Sequence, residues 1–494
     1  MPRTVAEIIE EIRQKPRRLE LPGNPRYQPA SLVPYFGYDN LVRFQIEVEW
    51  ALWKALAKVG ILPVGAVALL TEDLKEKLYN ETTTTLQDAV EKEITRHDIR
   101  ALIRIIHQIV DPILAKWTHF PATSYDIIDT ARIIAYKRAF WEVSLPSILQ
   151  LVSLLRNKVI EFVDTLQIGR THGQHAEPVT VGFWIATILS RILDITKNLI
   201  EKETKLVGKF SGPVGAYNAQ VVFGLENLAQ INFGRTFEEL VLEELGLVPG
   251  PISTQILSPE PLARFLFEYT LLSGALSQLA LDCRNLQRTE IAEIGEPFEA
   301  DQSGSSAMPY KRNPITWENT QGMGIIVKIE FFKVLEGLLS EHQRDLITSS
   351  VMREFPGIVV FTQYQLENLI RVIPWISINP EALGRNFEMT RNMATGEAVY
   401  LALIMAGYQG DAHHLVNQTL VPRAHSSKQN LASELIGLAA EDQELQAVVE
   451  NIPPEIIKML QRPEQFTGRA RQKALEIAGA AEQLTDQWAG GRIK

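Results

Sequence analysis

The sequence predicts an all-α fold built around a bundle of long helices, and three observations predict it. Apolar residues recur at helical spacing over residues 127–166, 183–207 and 261–294, runs much longer than the usual three to four turns. Short strands do not alternate with helices anywhere in the chain. Polar, glycine-bearing segments at 21–34, 118–124, 208–224, 247–261 and 295–314 separate the long runs and are the places where chemistry is expected.

Taken in order, the segment up to about Gly23 carries Arg3, Arg13, Lys15, Arg17 and Arg18 and reads as a helix followed by a solvated connection. Residues 45–59 set Ile46, Trp50, Trp53 and Ala57 on one helical face, and Gly60 and Pro63 end that helix. The 127–166 run is expected to kink at Pro146, because proline removes a helix donor and crowds the preceding turn. Long helices that are apolar on several sides need several neighbours, which implies an elongated bundle, and one that subunits can share. Beyond 374–380 the helices shorten to 380–407, 427–448 and 454–460. We therefore expect three domains: an N-terminal helical domain over 1–120, a central long-helix bundle with the catalytic loop over 121–376, and a C-terminal helical domain over 377–494.

Composition narrows the function classes. The chain has 494 residues, of which 46 % are hydrophobic and 22 % charged, and a formal charge of −10, which describes a folded globular protein and not a disordered or collagen-like one. The single cysteine, Cys283, can form no intramolecular disulfide, and the N-terminus lacks the apolar stretch of a secretory signal, so a cytoplasmic location is expected. No window reaches the roughly 18 apolar residues of a membrane span. Net acidity argues against a nucleic-acid surface while permitting basic pockets for small anions.

Five segments carry chemistry. Gln302-Ser303-Gly304-Ser305-Ser306-Ala307-Met308-Pro309-Tyr310-Lys311-Arg312-Asn313-Pro314 is small and polar, then basic, and ends in a proline that bars helix propagation. Such a loop suits a lid over a dianion, with Lys311 and Asn313 as hydrogen-bond donors, although composition alone equally fits a solvated linker. The others are Arg96-His97-Asp98, Thr123-Ser124-Tyr125-Asp126-Ile127-Ile128-Asp129-Thr130, Gly169-Arg170-Thr171-His172-Gly173-Gln174-His175-Ala176-Glu177-Pro178, and Gln343-Arg344-Asp345-Leu346-Ile347-Thr348-Ser349-Ser350-Val351-Met352-Arg353. The i, i+3 spacing of His172 and His175 is weak evidence for a metal without a third ligand, and the adjacent pair His413-His414 is weaker still. His107, His342 and His425 read as structural.

In sequence and order these segments resemble the fumarase/aspartase superfamily, and the Ala-Met-Pro-Tyr-Lys-Arg-Asn-Pro core is similar to that of the adenylosuccinate lyase family. The resemblance implies a homotetrameric all-α fold whose active sites combine segments of different subunits. It also implies β-elimination of fumarate without a metal or other cofactor. Removing a proton beside a carboxylate creates a carbanion, so the site needs a base, cationic or dipolar donors around that carboxylate, and an acid at the leaving nitrogen. By resemblance Ser305 is the base, ionised by backbone N–H groups and Lys311; His172 is the acid, with Glu318 as its carboxylate partner; and His97 assists.

Substrate contacts carry over to Arg26, Tyr27, Arg96, Asp98, Thr123, Ser124, Gln255, Ser306, Met308, Asn313 and Asn319, with Arg344, Ser349 and Arg353 on a nucleotide phosphate. Read without the resemblance, Arg344 and Arg353 with Glu341 and Asp345 are surface ion pairs on a helix. The chain departs from the family pattern in the stretch from Arg26-Tyr27 to Phe44, which is longer, at Ser258-Pro259-Glu260-Pro261, and at Thr348, which stands where His or Asn is usual. The resemblance implies cleavage of adenylosuccinate to AMP and fumarate, and of the succinylated aminoimidazole carboxamide ribotide. The alternatives are a superfamily lyase for an unphosphorylated succinyl or carboxymuconate substrate, and a catalytically silent relative.

Overall fold

The computed structural model describes residues 3–298 and 301–488. Its body is helical. Five helices, Leu145–Glu161, Val181–Glu203, Glu260–Leu286, Ile315–Glu336 and Pro356–Val372, pack side by side as the central bundle. Their apolar side chains share one core with those of helix Leu41–Lys58, where Trp53 is fully buried.

The expected 127–166 helix is two helices, Ser124–Ala139 and Leu145–Glu161, joined by a π-helical turn, Phe140–Ser144. Pro146 sits in the first turn of the second helix, where its missing N–H costs least, and the wider turn before it removes the clash with the preceding carbonyls. Helix 261–294 of the sequence reading ends earlier, at Leu286.

In the C-terminal region the expected 380–407 helix is interrupted between Pro380–Glu388 and Gly396–Met405. The expected 427–448 helix is Leu431–Ala439 and Gln443–Glu450, the latter capped by the Asp442 carboxylate, which accepts from the Glu444 and Leu445 N–H groups. These helices enclose an apolar core of their own, centred on Leu403, Leu420, Leu431, Leu435 and Leu460. The last helix, Ala470–Trp488, leaves it and packs on helices Leu145–Glu161 and Val181–Glu203 through Ala474, Ala478, Ala481 and Leu484. Those alanines form a helical stripe of so little side-chain volume that the apolar pattern did not reveal it.

Among the described residues, two small antiparallel sheets add to the helical fold. Leu166–Thr171 pairs with Gln174–Thr180 in a hairpin, and Ile294–Gly295 pairs with Ser377–Ile378. No helix among the described residues is long and apolar enough to cross a membrane.

Candidate active site

Thr123 is the N-cap of helix Ser124–Ala139, and its N–H donates to the Asp126 carboxylate at 2.8 Å. Asp126 is fully buried and is paired with the buried ammonium of Lys209; it also accepts from the Ser211 N–H at 3.0 Å. Removing one partner would leave an uncompensated buried charge, at a cost of about 3–5 kcal/mol. The pair fixes Thr123 and Ser124 at the positive end of a helix, where carboxylates are stabilised.

His97 is the N-cap of helix Asp98–Ile109 and follows Arg96, whose φ of 54° turns the chain sharply. The His97 Nε2 lies 3.4 Å from Ser124 Oγ, and Nδ1 lies 3.2 Å from Asp98 Oδ1. Across from it, Asp98 Oδ2 is 3.8 Å from Arg353 Nη2. Arg344 donates to Thr348 Oγ1 at 2.9 Å and to the Tyr125 hydroxyl, with its guanidinium 4.3 Å from the centre of the Tyr125 ring. Thr348, the departure from the usual His or Asn, is thus buried and orients an arginine. Asp98, Tyr125, Ser349 and Arg353 line one cleft of about 440 Å³.

Gln255 lies on a loop fastened on both sides. The Leu257 N–H donates to Asp129 at 3.0 Å, Asp129 pairs with Arg132 at 3.4 Å, and Ser253 Oγ lies 2.6 Å from Ser211 Oγ. Burial pushes the Asp129 carboxyl above the usual range. Gly215, at φ +74°, is required for this contact, because a Cβ there would lie 2.0 Å from the Ser253 carbonyl oxygen.

His172 and Gly173 form the two-residue turn of the hairpin, both with positive φ, 54° and 76°. That geometry twists in the sense the strands require and leaves the His172 ring exposed at the tip. The hairpin base is anchored on Glu293, a fully buried carboxylate that accepts from Arg170 at 2.6 Å and from Gln167 and Asn386 at 2.8 Å each. His175 Nδ1 is 3.0 Å from Thr390 Oγ1, so this second histidine faces the C-terminal region, and burial with nearby Arg170 lowers its pKa.

In the 302–314 loop, Ser305 Oγ accepts from the N–H groups of Met308 at 3.1 Å and Ala307 at 3.4 Å. Gly304 presses against the Lys311 backbone so closely that a Cβ would lie 2.2 Å from its carbonyl oxygen. Ser306, Met308 and Lys311 are exposed, and Asn313 is half-buried. The loop runs into helix Ile315–Glu336, where Glu318 is exposed and Asn319 Oδ1 accepts from Asn368 at 3.3 Å.

The structure therefore gathers His97, Asp98, Thr123, Ser124, Arg344, Ser349 and Arg353 at one place. His172 stands at a hairpin tip, and Ser305, Lys311 and Glu318 lie on and after the loop. Among the described residues no hydrogen bond or ion pair joins these three groups within the chain. Arg26 is exposed and Tyr27 sets its ring edge against Tyr364, centroids 5.4 Å apart; neither is among the residues that line the cleft. Arg96 is exposed beside His97. Sequence reasoning missed Tyr125, Asp126, Lys209 and Glu293 as supporting residues. The Thr123-x-x-Asp126 spacing of a capping box was a readable signal for one of them; Lys209 and Glu293 have no local signature.

The profile of the family described as Lyase matches residues 31–328. The adenylosuccinate lyase of Archaeoglobus fulgidus is 32 % identical over 462 residues, covering 92 % of this chain and 97 % of that protein. That of Pyrococcus horikoshii is also 32 % identical, covering 94 % and 98 %. The chain belongs to the adenylosuccinate lyase family. A solved structure of 3-carboxy-cis,cis-muconate lactonizing enzyme from Pseudomonas putida, 23 % identical, superposes with a TM-score of 0.76 over 93 % of this chain and 98 % of that one, which supports the same fold. Within the adenylosuccinate lyase family frame, the five segments picked out in the sequence fall in the three groups described above.

Proposed function

We propose that the chain cleaves adenylosuccinate to AMP and fumarate, and the succinylated aminoimidazole carboxamide ribotide in the same way, as a cytoplasmic enzyme of purine biosynthesis. The observation that carries this reading is the cleft shared by Ser349, Arg353 and Asp98, with Arg344 oriented beside it by Tyr125 and Thr348. Two guanidiniums and a hydroxyl match a phosphate monoester, an anion that an unphosphorylated substrate would not supply.

In this mechanism Ser305, as the alkoxide, takes the proton from the carbon beside the fumarate-derived carboxylate. The Ala307 and Met308 N–H groups already aimed at its oxygen, together with Lys311, hold the negative charge before transfer. Thr123 and Ser124, at a helix N-terminus, bind the carboxylates that receive the developing charge. The electron pair left on carbon forms the fumarate double bond as the C–N bond breaks, and His172, paired with Glu318, delivers a proton to the departing nitrogen. His97, between Asp98 and Ser124, orients the substrate at that bond. Gln255, Ser306, Met308, Asn313 and Asn319 complete the pocket, with Arg96, Arg26 and Tyr27 as further contacts to the nucleotide.

The enzyme works as a homotetramer with sites shared between subunits. Its chain is divided as 1–120, 121–376 and 377–494, a layout supported by the separate apolar core within 399–460, although helix Ala470–Trp488 returns to the central bundle. The test is an absorbance assay with adenylosuccinate, argininosuccinate and carboxymuconate, followed by detection of fumarate. Turnover of adenylosuccinate alone, with KM raised about tenfold or more in Arg344→Met at little change in kcat, is the expected result. Turnover of a phosphate-free substrate with no response to Arg344→Met would overturn it.

A further inference from the structure

The connection after helix Val5–Arg13, read from sequence as solvated, forms part of the cleft wall. It is held by a short ladder. The Arg18 N–H donates to the Asp39 carboxylate at 2.5 Å, the Asp39 N–H donates to the Arg18 carbonyl at 2.8 Å, and the Tyr38 N–H donates to the Glu20 carbonyl at 3.1 Å. These bonds fix the backbone of Arg18 beside Tyr38. Its guanidinium then lies over the Tyr38 ring, 4.8 Å from the centroid, while the Tyr38 hydroxyl is bonded to Asp88. Arg18, Tyr38 and Asp88 line the same cleft as Ser349 and Arg353.

Arg18 differs from its neighbours. Arg17 donates to the Asn80 carbonyl at 2.9 Å and Arg13 is paired with Glu81 at 2.5 Å, so both are structural anchors. Among the described residues the Arg18 side chain has a loose approach to Glu20, 3.9 Å, besides its ring contact, and it is 57 % exposed. The ion pair of Arg353 among them is with Asp98 at 3.8 Å. Of the acids that line the cleft, Asp88 is bonded to the Tyr38 hydroxyl, and burial pushes its carboxyl and that of Glu91 above the usual range. A stacked guanidinium keeps its edge donors free, which suits it to an oxygen-rich anion.

We propose that Arg18, laid on Tyr38, is a substrate-contacting residue that shares the phosphate group of the nucleotide with Ser349 and Arg353. The N-terminal segment thereby supplies a specificity determinant for phosphorylated over unphosphorylated substrate. This rests on the phosphate reading of the cleft.

The experiment uses the full chain as wild type, Arg18→Met, Arg18→Lys and, as a control, Arg13→Met. Calorimetry measures AMP, adenosine and inorganic phosphate, and the assay measures KM and kcat for adenylosuccinate. We expect Arg18→Met to raise KM and the AMP Kd about tenfold or more at nearly constant kcat, with Arg18→Lys intermediate and adenosine affinity unchanged. Arg13→Met should bind like wild type. Unchanged AMP affinity in Arg18→Met, or an equal loss of AMP and adenosine, overturns the proposal. Should the wild type not cleave adenylosuccinate, the functional reading fails separately. Arg18 is then judged on phosphate alone, and phosphate binding that is absent in the wild type or unaltered in Arg18→Met rejects it.

Discussion

Ser305 shows how much a single residue depends on its backbone. An ordinary loop serine has no reason to lose its proton, yet here two N–H groups converge on Oγ and Gly304 permits the close turn that aims them. Ser305→Ala should lower kcat by about 10³-fold or more while changing KM less than threefold, because the hydroxyl acts on the transition state far more than on substrate binding. Single-turnover assays at saturating adenylosuccinate, with sedimentation to show intact assembly, check this; turnover near wild type would remove Ser305 from the base role. Residues of this kind were legible because their segment is unusual in composition. Lys209 and Glu293 were not: each is an ordinary charged residue in the sequence and becomes structural only when folding buries it against Asp126 or Arg170.

At the scale of elements, the hairpin that carries His172 illustrates what periodicity can and cannot tell. Helical runs were legible because each turn repeats the same apolar signal, whereas the hairpin is two short strands with a His-Gly turn whose positive φ values follow from backbone geometry. The hairpin also meets the C-terminal region, through His175 on Thr390 and Glu177 against Glu397. Burial, with the hydrogen bond to Glu397 and its negative charge, pushes the Glu177 carboxyl up from 4.5 to about 7. A raised folded pKa means that this contact contributes its full stability below about pH 4.5 and loses it as pH rises through about 7. Thermal unfolding should therefore show a decline in Tm between about pH 4.5 and pH 7 that is smaller in Glu177→Gln, whose amide cannot ionise. Equal declines in the two proteins would show that the pair does not couple hairpin and C-terminal region.

Over the whole molecule, the central bundle leaves apolar side chains uncovered. Helix Ile315–Glu336 leaves Ile325, Ile329, Phe332 and Leu335 exposed on one side, with Phe332 at 65 %, and Phe267 and Leu271 of helix Glu260–Leu286 are exposed as well. Unburied apolar surface of that extent on rigid helices is consistent with the proposed assembly of several copies of the chain. The long apolar helices were legible in the sequence; the packing of helix Ala470–Trp488 on helices Leu145–Glu161 and Val181–Glu203 was not. In the site, among the described residues, no hydrogen bond links the three groups to which His172, Ser305 and His97 belong. If each site draws His172 and Ser305 from different subunits, two inactive variants can complement each other. Denaturing and refolding an equal mixture of His172→Ala and Ser305→Ala should restore about a quarter of wild-type activity, because half of the chains supply an intact His172, half an intact Ser305, and random assembly joins them in one site in four. Activity that stays at the level of the separate variants, in a mixture shown to form mixed tetramers, would mean that a single chain provides both residues and that the hairpin and the loop close on each other.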